Sequence, residues 1–189
     1  ALDQTGTVSV DSDTMFVQFT NAATMVSAGP AINVGDVSYT FVDAIGLNTI
    51  AAAAQGIDAS VQVGGTEIFH LTGDLGFSKS LTDIIAVGTD VTVRMEATSE
   101  AYLELADADF GLIAGTGKLA FELSQGALDV QLGSLFDISG GQAFVQFTNA
   151  VTTVSAGKSI HVGPVSYTFA DAIQANTTAI AVKDLNAQV

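Results

Sequence analysis

The sequence predicts an all-β, mainly antiparallel protein built from repeated units, and three observations carry that expectation. Apolar and polar residues alternate with period two in one segment after another, the spacing that sends successive side chains to opposite faces of a strand. Short Gly-rich and polar stretches separate those segments, as in an antiparallel meander. And the chain copies itself: FVQFTNAATMVSAGPAINVGDVSYTFVDAIG at 16–46 returns as FVQFTNAVTTVSAGKSIHVGPVSYTFADAIQ at 144–174, offset by 128 residues without a gap. Self-similarity at a fixed period marks an array protein. The expected architecture is an elongated repeat, β-sandwich or β-solenoid-like. Regular alternation of strand and helix, the sign of an α/β fold, is missing.

Within the second copy, Phe144–Asn149 and Val165–Phe169 read as strands. Val42–Ala54 contains four consecutive alanines, which favour helix, so a short crossover helix or irregular crossover is expected there. The second copy carries Thr177, Thr178, Ile180 and Val182 in the matching region, and these favour strand. Gly64-Gly65 reads as a turn. Next, Phe69, Leu71, Leu75 and Phe77 fall on one face of a strand, with His70, Thr72, Asp74 and Gly76 on the other. Ser78–Asp83 and Gly88–Asp90 read as turns, with a strand through Val91, Val93 and Met95 after them. Leu103 and Leu105 continue the alternation. The apolar phase then changes at Phe110 and Leu112, which predicts a bulge near Asp107–Asp109. Gly115–Gly117 is a turn. Leu119, Phe121 and Leu123 form one apolar face, and Leu128, Val130 and Leu132 the next. Gly140-Gly141 precedes the second copy.

Ala1-Leu2-Asp3 resembles Ala127-Leu128-Asp129 with a two-residue adjustment, which phases the units as 1–126 and 127–189. The second unit stops short of a Gly64-Gly65 equivalent. Its aromatics are therefore expected to lack cover from their own unit, and deletion of 143–189 to leave the remainder folded.

Hydrophobic residues make up 48% of the 189 and charged residues 13%, about half the usual charged share. Such a chain can bury a core and should not be disordered. Twenty acids against five bases give a net charge of −15. Lys79, Arg94, Lys118, Lys158 and Lys183 are scattered, so no basic patch suits nucleic acid or an anionic membrane. The longest apolar stretch, near Ile50–Ala54, is too short to span a bilayer as a helix, and membrane insertion is not expected. Without cysteine there are no disulfides and no thiolate chemistry. The chain opens on Ala1 with no basic and apolar leader, so any export signal is expected to be removed or elsewhere.

The segments Val17–Asn21, Val34–Val37 and Gly73–Ser80 together resemble the tandem β-strand repeats of very large bacterial surface and extracellular, adhesin-like proteins. Those repeats carry a Val-Arg-Phe-Asn-like strand, a Val-Gly-Gly-Val-like turn and a Gly-Asp-Phe-Gly-Phe-Glu-Lys-Ser-like strand. The resemblance covers most of 16–150 and implies architecture and an extracellular or cell-surface location. Ser78 stands where the pattern has Glu, and the chain carries no adhesin-type ligand motif.

Candidate sites are few. Asp11 with Asp13 and Asp107 with Asp109 lie two apart and could hold a hard cation such as calcium, though the EF-hand and the calcium nonapeptide are both missing. His70 and His161 are the two histidines, and His161 matches Asn33, so it is not a repeated element. Asn176-Thr177-Thr178 is a formal glycosylation sequon. Gly-x-Ser-x-Gly, His-Glu-x-x-His and Walker sequences are absent, and enzymatic activity is not expected. The paired aromatics Phe16, Phe19, Tyr39 and Phe41, with Phe144, Phe147, Tyr167 and Phe169, suit packing between repeats. The function these features imply is that of a structural repeat module of a bacterial extracellular fibre, filament or surface layer. Its partners would be copies of itself or adjacent repeats, joined by β-strand and apolar contacts. A ligand-binding adhesin module that recognises a glycan or a surface is the alternative.

Overall fold

In a computed structural model the chain is described over residues 6–21 and 23–188. It is all-β and antiparallel, with no helix among those residues. The strands are β1 (Gly6–Asp11), β2 (Thr14–Phe19), β3 (Ala31–Val34), β4 (Val37–Thr40), β5 (Ile50–Val63), β6 (Thr66–Lys79), β7 (Asp83–Thr98), β8 (Ala101–Gly115), β9 (Lys118–Leu132), β10 (Phe136–Ser139), β11 (Gln142–Thr148), β12 (Ser159–Val162), β13 (Val165–Thr168), β14 (Thr178–Lys183) and β15 (Asn186–Gln188). Eleven of them form one large open sheet, neither a solenoid nor a barrel. β5 to β9 are a meander of long strands. β1 and β2 both pair with β5 at one side, and β10 and β11 both pair with β9 at the other. The hairpins β3–β4 and β12–β13 stand off the sheet.

Three expectations are corrected. Val42–Ala54 holds no helix: a turn passes through Asn48, in the left-handed region at φ 52°, and the four alanines open β5. Ala51 and Ala53 are buried beneath the β12–β13 hairpin. Close packing of a second layer, which leaves no room for larger side chains there, overrides alanine's helical preference. Gly88–Asp90 is not a turn. It is a bulge inside the 16-residue β7. Likewise Leu119–Leu123 and Leu128–Leu132 are two halves of β9.

The expected bulge at Asp107 is present, and it is one of a row. Left-handed residues at Gly56, Gly73, Asp90, Asp107 and Gln125 follow one another at intervals of 17, 17, 17 and 18 residues. In a meander that spacing sets them side by side. The pairing registers jump at this level between β5, β6, β7 and β8, with the extra residue on β5, β7 and β8 and none on β6. β8 and β9 interrupt their pairing together, without a net shift. Asp74 accepts hydrogen bonds from the Gly56 amide and Gln55, and Asp109 from the Asp90 amide and Gln125. Each extra residue shifts the phase of its strand. The apolar set therefore moves from Phe110 and Leu112 to Leu103 and Leu105 without leaving its face.

Cross-strand pairing identifies the two faces. Ala54, Leu75, Phe110 and Leu123 lie on the outer face above the bulges; Val61, Phe69, Met95, Leu103 and Val130 lie on it below them. This face is apolar along its length and half-exposed: Phe77, Met95 and Leu103 all reach solvent. On the inner face below the bulges stand Ser60, His70, Arg94, Glu104 and Asp129. Arg94 pairs there with Glu96 and Glu104 and lies over the Tyr102 ring. Above the bulges the inner face is roofed by β12–β13, and this is where the core sits.

Candidate assembly interface

One row of paired residues crosses the inner face: Phe16, Ala53, Gly76, Val87, Gly111, Glu122 and Gln146. Most are small, and the hairpin uses the space. A Cβ on Gly76 would meet Val162 at 2.8 Å, and one on Gly111 would meet the Tyr167 ring at 2.3 Å. Close approach of the hairpin's side chains to the sheet backbone is the reason for glycine at both positions. Ile160, Val162, Val165, Tyr167, Phe169 and Ile173 come down from the hairpin and the loop after it to complete the core.

Among these apolar groups sits a carboxylate. Glu122 has no solvent exposure. It accepts hydrogen bonds from the Tyr167 hydroxyl (2.7 Å), the Ala170 amide (2.9 Å) and the Gln146 side-chain amide (2.7 Å). A buried polar group is tolerated when its bonds are made, so the three donors tie the hairpin, the loop after it and β11 to β9. Burial, together with the neighbouring Glu122, pushes the Tyr167 hydroxyl's pKa well above the usual phenol value.

The first copy has the same local structure. Thr14–Phe19 pairs with Gln55–Ile50 as Gln142–Phe147 pairs with Lys183–Thr178, at the 128-residue offset throughout. The bridge Val26–Ile45 matches Val154–Ile173. Thr20 bonds the Gly46 carbonyl as Thr148 bonds that of Gln174. Tyr39 meets Phe41 edge-on at 5.4 Å, and Tyr167 meets Phe169 so at 5.3 Å. Their surroundings differ. Ile32, Val34, Val37 and Tyr39 are 53%, 76%, 72% and 56% exposed; Ile160, Val162, Val165 and Tyr167 are 5%, 2%, 2% and 5% exposed. The second hairpin lies on the sheet of the first unit, whereas the first hairpin has no sheet beneath it among the described residues.

The second copy's aromatics, expected to lack cover from their own unit, take it from the unit before at Tyr167 and Phe169. Tyr167 and Phe169 are buried. A unit covers the sheet before it, so what its hairpin needs is the sheet of the preceding unit and not β6–β9 equivalents of its own. Phe16 packs against Gly163 at the second hairpin's tip, while Phe41 and Phe144 are half-buried. Phe19 and Phe147 point to the outer face, by pairing with Ile50 and Phe121. The suggested division between Gly126 and Ala127 falls inside β9.

The aspartates do not come together. Asp11 ends β1 and Asp13 follows it, whereas Asp107 and Asp109 belong to the bulge of β8, with β5, β6 and β7 between. Among the described residues no group of three or more His, Asp or Glu is placed to hold a metal. His70 bonds Asp58 at 3.0 Å, and His161 is exposed on β12. Asn176 is exposed in a turn with φ 60°, the counterpart of Asn48. Sequence reasoning missed Glu122, which reads as a solvated acid between Phe121 and Leu123. The available signal was that both copies keep its donors' counterparts, Gln18 with Gln146 and Tyr39 with Tyr167. No family model matches this chain, and no curated protein and no solved structure is similar to it.

Proposed function

We propose that the chain is a structural repeat module of a bacterial extracellular fibre, filament or surface layer, whose units join end to end through β-strand and apolar contacts. The observation that carries this is the join already present inside the molecule. One sheet passes from the first unit to the second without interruption, with the second hairpin roofing the first unit. Among the described residues, β2 pairs on one side only, with β5, although its counterpart β11 pairs on both. An unpaired edge is a template for another strand, and a head-to-tail contact that does not close makes a filament. With net charge −15, self-repulsion opposes such contacts, and screening by salt or a divalent cation favours them.

The pairing order fixes the dimensions. From β2 to its counterpart β11 there are six strand steps, or about 29 Å at the usual strand spacing. Electron microscopy of the purified native protein should show filaments that advance by about 29 Å per repeat, with strands across the axis. Isolated particles at every concentration and salt condition would defeat the proposal, as would filaments with strands along the axis.

A further inference from the structure

We infer that β2 and the β3–β4 hairpin are a docking face for the inner sheet face of a preceding repeat of this same sequence, locked by a buried glutamate equivalent to Glu122. The inference rests on the fibre-module reading and names the partner surface and the contact that selects it. Its ground is that the molecule contains both states of one device. In the second copy the Gln146 side chain, the Tyr167 hydroxyl and the Ala170 amide close on Glu122. The first copy holds their counterparts, Gln18, Tyr39 and the Val42 amide. No carboxylate is bonded to any of the three among the described residues, and an open cavity of about 310 Å³ lies where one would enter, lined by Gln18, Tyr39, Val42 and Asp43 with Phe16 and the second hairpin's tip.

The strand edge agrees with the side chains. β11 meets β9 with Gln146 opposite Glu122 and Phe147 opposite Phe121. β2 offers the same sequence, Phe16–Asn21, on a side unpaired among the described residues. A β9-like strand added there would set its glutamate opposite Gln18. It would also bring small residues like Gly76 and Gly111 under the first hairpin, where Ile32, Val34, Val37 and Tyr39 now stand exposed. A surface of other chemistry would cover the apolar groups but leave the three donors unmatched, at a cost for each buried unbonded group.

The test uses the absence of cysteine from the chain. A tandem polypeptide is made by placing residues 6–133 before residues 6–189, which keeps the 128-residue period. Single cysteines replace Val37 in its second unit (V37C) or Val165 in its last (V165C), and the rate of thiol labelling is measured. In the 189-residue chain V37C should label freely and V165C slowly. In the tandem, V37C should slow by roughly 100-fold towards V165C, the protection of a locally closed element. Adding Tyr39→Phe in that unit should restore at least about 10-fold of the rate, as loss of a hydrogen bond to a carboxylate would. Labelling of V37C that is equally fast in chain and tandem, with V165C protected in both, overturns the inference. So does a tandem in which V165C also becomes accessible, since the two copies then cannot share one fold. So too does a protected V37C that is indifferent to Tyr39→Phe, since the lock would then be missing. Filament formation is read separately by microscopy: a protected V37C in a protein that forms no filaments would sink the fibre reading and leave the docking face standing.

Discussion

Glu122 bonds three donors from three parts of the chain, none of them cationic. Its replacement by Ala would leave the Gln146 amide and the Ala170 amide without partners in an apolar layer, and the Tyr167 hydroxyl with Ser124 alone. Buried donors left unmade cost more than the net worth of the bonds themselves, so Glu122→Ala should lower stability by about 2–4 kcal/mol in urea unfolding. An unchanged midpoint would show that water takes the carboxylate's place at no cost. Tyr167 reports on the same contact through pH. Its raised pKa means that the folded protein keeps the hydroxyl proton where the unfolded chain releases it. The stability this contributes is fully present below the ordinary phenol value of about 10 and declines as pH rises above it. Alkaline titration followed by phenolate absorbance should show one tyrosine ionising only together with loss of the β-sheet circular dichroism signal.

At the scale of elements, the hairpin and the sheet fit because glycine stands beneath the tyrosine. A Cβ at Gly111 would lie 2.3 Å from a ring atom of the 5%-exposed Tyr167. The ring is wedged against Phe169 and held by Glu122, so it cannot swing aside. Gly111→Ala should cost about 1–3 kcal/mol as overpacking does and should speed hydrogen exchange in Ser159–Thr168 before that in β7 and β8. Uniform loss of protection would mean that the hairpin and sheet are one cooperative block. The strands themselves were legible: alternation placed Phe69, Leu71, Leu75 and Phe77 on one face, and the phase change located the Asp107 bulge. Gly88 was misread as a turn because its glycine answers to packing: a Cβ there would meet the Phe110 ring, and the bulge's left-handed residue is Asp90. The alanines of β5 were misread because their reason is the second layer above them, which no local window contains. Alternation also could not tell which face is roofed. On β6 the roofed residue is Gly76, while its neighbour Phe77 is half-exposed.

For the whole molecule, the direction of cover decides what truncation does. Deleting 143–189 was expected from the sequence to leave a folded first unit, on the premise that each unit covers itself. The second hairpin and its flanking loops instead supply Val154, Ile160, Val162, Val165, Tyr167, Phe169 and Ile173 to the core above Ala51, Ala53, Val87, Ile113 and Ala120. At about 1.5–3 kcal/mol for each buried side chain, the layer accounts for something on the order of 10–20 kcal/mol, even before allowance for a partly compact unfolded state. A domain of ordinary stability holds about 5–15 kcal/mol in all. The outer face gives no compensation, because Phe77, Met95 and Leu103 already meet solvent there. Removal of 143–189 should therefore abolish cooperative urea unfolding and expose an apolar surface that binds a hydrophobic dye. Supplying the deleted segment as a separate chain should restore the transition if the hairpin acts as a roof and not merely as a continuation of the backbone. A truncated protein that unfolds cooperatively at the midpoint of the intact chain would show that the sheet stands without its roof, and would remove the physical reason for one repeat to need the next.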